Sequence, residues 1–318
     1  MDKELLNNFE MEDMKLKMAI YNYKSDIKKS KKDIMFEALL YLIFTFIIII
    51  CAYPFYFLLI STISDNHLVN LNKIAIIPKG IHFTNYVDVL KLERIQTSAI
   101  VTVLKTVIGT AANVLVTSYM AYFFSKEEIW HRKLFYRFTI ITMYFSAGII
   151  PAYMNIKMLG LMNSFWVYII PRAFTVYNMI LVKTSMEAIP PSLEESAEID
   201  GAGYLTRFFR IVLPLSKPIL ATVGLFSAVS QWNNIFDTKL YITNSKLYSL
   251  QFTLWEYYNQ IKSIQETFEE MGGAVATAAS TQSVRLTMTA ITMIPIICVY
   301  PFIQKYYMKG IMLGAVKG

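Results

Sequence analysis

"ALLYLIFTFIIIICAYPFYFLLISTIS", residues Ala38 to Ser64, contains no aspartate, glutamate, lysine or arginine. A helix needs roughly 20 predominantly apolar residues to cross the hydrocarbon core of a bilayer, and this run exceeds that length. It is too long for the apolar core of a signal peptide, and more than 30 mostly polar residues precede it, so no cleavable signal is expected. The stretch decides the solvent. Whatever follows must satisfy its backbone groups inside a membrane, and only helices and closed barrels do so.

The run recurs along the chain. Expected spans are about 38–64, 99–125, 134–156, 162–186, 217–237 and 286–305, the fourth interrupted by Arg172. None shows the sustained polar and apolar alternation of a transmembrane strand. The expectation is an all-α, polytopic membrane protein of six transmembrane helices, with a polar tail over 1–34 and one membrane domain over 35–318. Composition agrees: 55% of the 318 residues are hydrophobic and 17% are charged, against about 25% charged in soluble domains.

The formal net charge of +7 raises the question of a nucleic-acid partner. Placement answers it. With the N-terminus in the cytoplasm, one side receives Lys24, Lys28, Lys29, Lys31 and Lys32, the loop 126–137, the segment 190–215 and the tail 305–317. The two long loops on the other side, 65–98 and 237–285, are sparse in lysine and arginine for their length. That is the positive-inside bias, and it implies two cytoplasmic termini. No basic patch interleaved with aromatics stands outside the tails, so no nucleic-acid role is expected. Trp130, Trp166 and Tyr168 fall near span ends, as interfacial anchors do. Cys51 and Cys298 both lie in spans, which argues against a disulfide framework or a metal site. His67, His82 and His131 divide between the two sides and cannot share one site.

One segment breaks the apolar pattern: "EESAEIDGAGYLTRFFRIVLPL", Glu194 to Leu215. Pro190 and Pro191 end whatever precedes it. Ser192 stands three residues before Glu195, the spacing of a capping box, and Glu194 and Glu195 complement the positive end of a helix dipole. A helix is expected from Leu193 to about Asp200, stopped by Gly201. A second should carry Leu205, Phe208, Phe209 and Val212 as one apolar stripe, with Arg207 and Arg210 off it. On geometry alone this is either a well-capped loop or a surface offered to a partner.

Glu195-Ser196-Ala197, Gly201, Ile211, Leu213 and Pro214 resemble the E-A-A-x3-G-x9-I-x-L-P signature of permease subunits of ATP-binding-cassette importers. Ser196 replaces the second alanine, small for small. The stretches Ala152–Asn178, Ser230–Ile242 and Tyr300–Gly318 are similar to the carbohydrate branch, and more narrowly to permeases for complex oligosaccharides related to the second permease of the maltose importer. The resemblance covers roughly Phe36 to the C-terminus. It implies a type I importer fold in a bacterial plasma membrane. It also implies a second homologous permease, two ATPase subunits and an extracytoplasmic solute-binding protein, and a pathway of which this chain forms half. Glu194, Glu195, Ser196, Ala197, Asp200, Gly201, Ile211, Leu213 and Pro214 would couple to an ATPase groove, with Glu195 facing a basic residue there. The tail Gly310–Gly318 would reach the ATPase interface. No Walker sequence occurs, so no catalytic residue and no cofactor is expected in this chain. ATP and magnesium would sit on the partner ATPases.

Polar residues inside spans are costly and are candidates for function. Ser230, Asn233, Asn234 and Asp237 recur at i, i+3, i+4 and i+7, with Trp232 beside them, and suit sugar hydroxyls and C–H faces. They equally suit hydrogen bonds between helices. Asn178 is a further candidate. Lys105 and Arg172 either snorkel or pair with neighbours, or they line the pathway and neutralise an acidic, uronate-containing oligosaccharide through the arginine fork. A secondary transporter and a non-transport scaffold are the rival classes. The first should place carboxylates within its spans, and the cleanest spans carry them only at their edges. The loop around Glu269–Ser280 has no readable chemistry.

Overall fold

The computed structural model describes residues 30–270 and 278–315. Residues 1–29 of the expected N-terminal tail, the centre of the loop Glu269–Ser280 and the last three residues lie outside them, and residues 31–34 of that tail already belong to the first helix. Among the described residues there is no strand. The chain divides into two units, Met1–Phe57 and Leu58–Gly318. In the first, the described residues form most of α1, Lys31–Thr62, which carries most of the apolar run Ala38–Ser64.

The second unit follows α1 with two short helices, α2 (Asn66–Asn70) and α3 (Thr84–Lys91), then the long α4 (Ile95–Ser125). At 1.5 Å per residue α4 is roughly 46 Å long, ample for a bilayer. Then come α5 (Arg132–Thr142), α6 (Ile149–Met158), two 3₁₀ turns (Phe165–Tyr168 and Ile170–Arg172) and α7 (Val176–Glu187). The segment that broke the apolar pattern forms α8 (Ser192–Ile199) and α9 (Tyr204–Leu215). The chain ends with α10 (Lys217–Asn233), α11 (Phe236–Tyr241), α12 (Leu250–Glu270) and α13 (Ala278–Ala315).

Three helical stretches are long and apolar enough to cross a membrane unaided: α1, α4 and Gln282–Val299 of α13. The number rises to five if each of two bent pairs counts as one span. One pair joins Phe165–Arg172 to α7 at 49°, and the other joins α9 to α10 at 82°. The stretch 134–156, expected as one span, is divided into α5 and α6, with Gly148 at φ +86° between them. The stretch 162–186 is broken where Pro171, lacking an N–H, closes a 3₁₀ turn. The helix expected over 286–305 extends well beyond both limits, and residues 310–315 of the expected tail continue it.

α4 lies at the centre of the second unit, packed along α10 and α7. Near one end Ala121, Tyr122 and Phe124 of α4 form a core with Met179, Val182 and Met186 of α7, Phe208 and Val212 of α9 and Val223 of α10. Near the other end Ile95 packs with Val89 of α3, Leu250 and Leu254 of α12 and Met288 of α13. Tyr168, expected at a membrane interface, is instead fully buried, its hydroxyl bonded to Thr238 and to the carbonyl of Leu247. Burial of a phenol requires such partners.

Candidate functional site

The site grows from a polar stripe on α4. Ser98, Thr102, Lys105, Gly109 and Asn113 are all on one helical face and all buried. Each serves a neighbouring element. Ser98 bonds Thr253 at 2.7 Å, and Thr102 Oγ1 accepts the backbone N–H of Leu250 at 2.7 Å. The other three meet the two broken helices.

Broken helices leave carbonyls without an intrahelical donor, and in a membrane these must be satisfied from elsewhere. Asn113 Nδ2 donates to the carbonyl of Arg172 at 2.9 Å and to Thr175 Oγ1 at 3.1 Å, across the gap between the 3₁₀ turns and α7. Lys105 Nζ donates to the carbonyl of Asn234 at 2.9 Å, beyond the last turn of α10. A cation at a helix C-terminus also complements the dipole. The ammonium lies 5.0 Å from the centre of the Tyr168 ring and is fully buried. Gly109 lies under Gln231, where a Cβ would stand 2.5 Å from Nε2.

Beside this stripe lies a cavity of about 430 Å³, walled by Asn113, Arg172, Thr175, Tyr177, Asn178, Ser227, Ser230 and Gln231, with Pro171, Phe174 and Phe226. Its size falls within the ~300–1,000 Å³ usual for small-molecule sites. Asn178 Nδ2 bonds Asn113 Oδ1 at 3.2 Å, which orients both amides. Arg172 Nε and Nη2 meet Asp237 Oδ2 and Oδ1 at 2.6 and 3.1 Å. Asn234 holds the same carboxylate from its side chain at 3.1 Å.

Of the candidate pathway residues, the structure brings Arg172, Asn178 and Ser230 to this cavity. Asp237 and Asn234 stand behind Arg172, one as its counter-ion and the other as that carboxylate's brace. α10 ends at Asn233, so the four-residue polar face is interrupted there. Asn233 is exposed and faces Gln251 of α12. Trp232 turns elsewhere: its indole donates to the carbonyl of Thr292, and its ring lines an apolar hollow with Val103, Leu225 and Pro295. Lys105 is not in the cavity wall. Asn113 and Gln231, also in the cavity wall, are not among the candidates read from the sequence, although an amide deep within an apolar run is signal enough.

At the far end, α8 has two faces. Glu194 and Glu198, one turn apart, both reach the chain's own body: Glu194 accepts from Tyr122 Oη at 3.0 Å and from Lys126 Nζ, and Glu198 accepts from Arg207 Nη1 at 2.7 Å. Glu195 and Ile199, also one turn apart, are exposed, Ile199 by 87%. The helix starts at Ser192 on the carbonyls of Pro190 and Pro191, with no side-chain cap, so the expected capping box is absent. Ser196 Oγ bonds back to the carbonyl of Ser192, Ala197 is half-buried, and Asp200 closes the helix ahead of Gly201 at φ +82°. In α9, Phe208 and Val212 are buried as expected, whereas Leu205 and Phe209 are exposed. Arg207, expected off the stripe, is buried against Glu198 and the Tyr204 ring. Pro214 supplies no N–H, and the turn before it widens: Leu213 donates to the carbonyl of Phe208, giving a π turn over Phe208–Val212. Ile211, Leu213 and Pro214 therefore mark the place where the helix changes pitch.

A model of the inner membrane component of binding-protein-dependent transport systems matches residues 34–312. The chain belongs to this family. It is therefore an integral membrane transport component, which disposes of the scaffold and the secondary transporter. It is 36% identical over 287 residues to the polygalacturonan/rhamnogalacturonan transport system permease protein YtcP of Bacillus subtilis (strain 168), covering 90% of this chain and all of that one. It is 27% identical to the melibiose/raffinose/stachyose import permease protein MelC of the same organism, over 85% of this chain and 94% of that one. The fold matches a chain of a bacterial ABC transporter involved in the import of the acidic polysaccharide alginate. There the TM-score is 0.77 at 28% identity, over 88% of this chain and 99% of the other.

Proposed function

We propose that this permease forms half of the translocation pathway of an ATP-driven importer of acidic oligosaccharides. It acts with a second, homologous permease, two ATPase subunits that hold ATP and magnesium, and an extracytoplasmic solute-binding protein. Six crossings place both termini and the α8–α9 segment in the cytosol, where α8 seats in a groove of an ATPase. Closure of the ATPase pair then swings the spans between inward-open and outward-open states.

The observation that carries this reading is the two-faced α8. Glu194 is turned inwards onto its own chain and Glu198, itself largely exposed, pairs with Arg207. Glu195 and the 87% exposed Ile199 have no partner side chain among the described residues and are presented outwards together. An exposed isoleucine beside an exposed carboxylate has the character of an interface, with an apolar anchor and a charge that selects its partner. The family signature falls on the same turns. For the cargo, support comes from Arg172 in the wall of a polar cavity and from the polygalacturonan/rhamnogalacturonan and alginate systems among the similar proteins.

Glu195→Lys in the assembled importer tests the coupling. The ATPase should no longer co-purify, and uptake should cease with it. Uptake that continues without any ATPase would refute the reading. Competition between oligogalacturonate and a neutral oligosaccharide of equal length tests the cargo: the acidic sugar should displace the neutral one, and equal displacement would exclude an acidic preference.

A further inference from the structure

We infer that Glu194 is the strap that transmits motion of the cytosolic handle to the cargo cavity, acting through α4 rather than through the ATPase contact. The inference rests on the coupling role proposed for α8, but it assigns Glu194 a task distinct from docking.

Neighbouring residues on a helix point about 100° apart. Glu195 is exposed, whereas Glu194 is turned inwards, its side chain 14% exposed. Its carboxylate is shared between the hydroxyl of Tyr122 and the ammonium of Lys126, and that ammonium also lies 4.5 Å from the centre of the Tyr122 ring. Tyr122 lies in the last turns of α4 and Lys126 is its C-cap. Thus α8 is bonded to the end of α4 through one carboxylate with two donors.

Other contacts complete the handle without replacing this link. Glu198 to Arg207 joins α8 to α9. Tyr204 Oη to Glu128 Oε2, at 3.2 Å, joins α9 to the loop after α4. Phe208 of α9 packs on the rings of Tyr119 and Tyr122, with centroids 5.7 and 5.1 Å apart. Among the described residues, Glu194 is the direct charged connection of α8 to α4.

α4 continues without a break from that link to the site. Asn113, twelve residues back from the Ser125 end, holds both the Arg172 carbonyl and Asn178 in the cavity wall. Lys105, two turns further on, holds the carbonyl at the end of α10. A pull on Glu194 therefore moves a rigid rod whose side chains fasten the two broken helices around the cavity.

Glu194 is a positioning residue, and the quantity that reports it is cargo moved per ATP hydrolysed by the whole importer in liposomes. With Glu194→Gln the ATPase should still co-purify and hydrolyse ATP. Cargo per ATP should fall on the order of ten-fold, the scale of losing a charge-assisted hydrogen bond. Lys126→Met should do the same from the other side of the link, and the exchange of Glu194→Lys with Lys126→Glu should restore much of the ratio. An unchanged ratio in both single variants overturns the inference. So does loss of the ATPase from Glu194→Gln, which would make Glu194 part of the dock. If Glu194→Gln does not accumulate in the membrane, Lys126→Met decides by the same ratio. Glu195→Lys serves as the separate control: retention of the ATPase there would refute the docking of α8 on which the strap depends. An unchanged ratio in Glu194→Gln and Lys126→Met, with the ATPase still lost from Glu195→Lys, would refute the strap alone.

Discussion

Arg172 and Asp237 form a two-pronged ion pair, Nε to Oδ2 at 2.6 Å and Nη2 to Oδ1 at 3.1 Å, at the edge of the polar cavity. The pair is asymmetric: the arginine side chain is 36% exposed and the aspartate 12%. The guanidinium that would meet an acidic sugar is thus already held by an internal carboxylate. A cargo carboxylate must compete with Asp237 for it.

Two substitutions separate the partners. Arg172→Gln leaves a buried carboxylate supported by Asn234 and the nearby Lys105 ammonium, whereas Asp237→Asn leaves a guanidinium that water already reaches. Breaking a fully buried pair costs ~3–5 kcal/mol; with this much exposure about 1–2 kcal/mol is expected. Arg172→Gln should have the lower thermal midpoint of the two in detergent, and the double variant should recover part of the loss. Uptake should shift in opposite directions: Arg172→Gln lowers the ratio of acidic to neutral cargo, and Asp237→Asn raises it. Equal ratios in both variants would remove Arg172 from cargo selection.

Lys105 is expected to behave differently. It donates to the Asn234 carbonyl and packs over Tyr168, outside the cavity wall. Lys105→Met removes a charged donor from a helix end, a loss of about 1.5–3 kcal/mol. The complex should melt earlier, and uptake of acidic and neutral cargo should fall together. A selective loss of acidic cargo would instead place Lys105 on the pathway.

Membrane character was legible because the Ala38–Ser64 run leaves no other solvent for the chain. The limits of α8 were legible too, since Pro190 and Pro191 lie before it and Gly201 after it. The broken helices were not. Hydropathy treats Phe165–Glu187 as one run, and the break after Pro171 is tolerable inside a bilayer because a distant amide, Asn113, donates to the Arg172 carbonyl and to Thr175 Oγ1. The polar face on Ser230, Asn233, Asn234 and Asp237 assumed one helix, but α10 stops at Asn233, and Trp232 rotates onto α13. Helical spacing cannot reveal where a helix ends when the terminating interaction, Lys105 on the Asn234 carbonyl, comes from 129 positions away. The capping box failed for a local reason: the carbonyls of Pro190 and Pro191 already serve the first turn, so Ser192 is inside the helix.

Gly109 gives a test of how tightly α4 meets α10. A Cβ there would lie 2.5 Å from Nε2 and 2.8 Å from Cδ of the buried Gln231, whose amide donates to the Tyr168 carbonyl. Gly109→Ala must displace that amide, at an overpacking cost of ~1–3 kcal/mol. Gly224 faces the same interface from the other helix, but its nearest neighbour would be Val114 Cγ2 at 3.6 Å, an ordinary contact. Thermal midpoints of the two alanine variants should therefore differ clearly, with Gly224→Ala close to the parent protein. Similar midpoints would show that Gln231 repacks freely.

Ile199 separates folding from partner capture. It is 87% exposed, and its side chain adds nothing to the packing of the chain's own core. Ile199→Asp should therefore change the thermal midpoint of the isolated permease by no more than a surface substitution does, about ±0.5 kcal/mol. If the outer face of α8 fills an ATPase groove, the same change puts an unpaired charge at the centre of that contact. Losses at such positions exceed 1 kcal/mol, so the ATPase concentration needed for half-maximal capture should rise at least about five- to ten-fold. Capture measured on immobilised permease distinguishes the outcomes. Unaltered capture would mean that the ATPase grips some other surface, and the exposed isoleucine would then have no role in coupling.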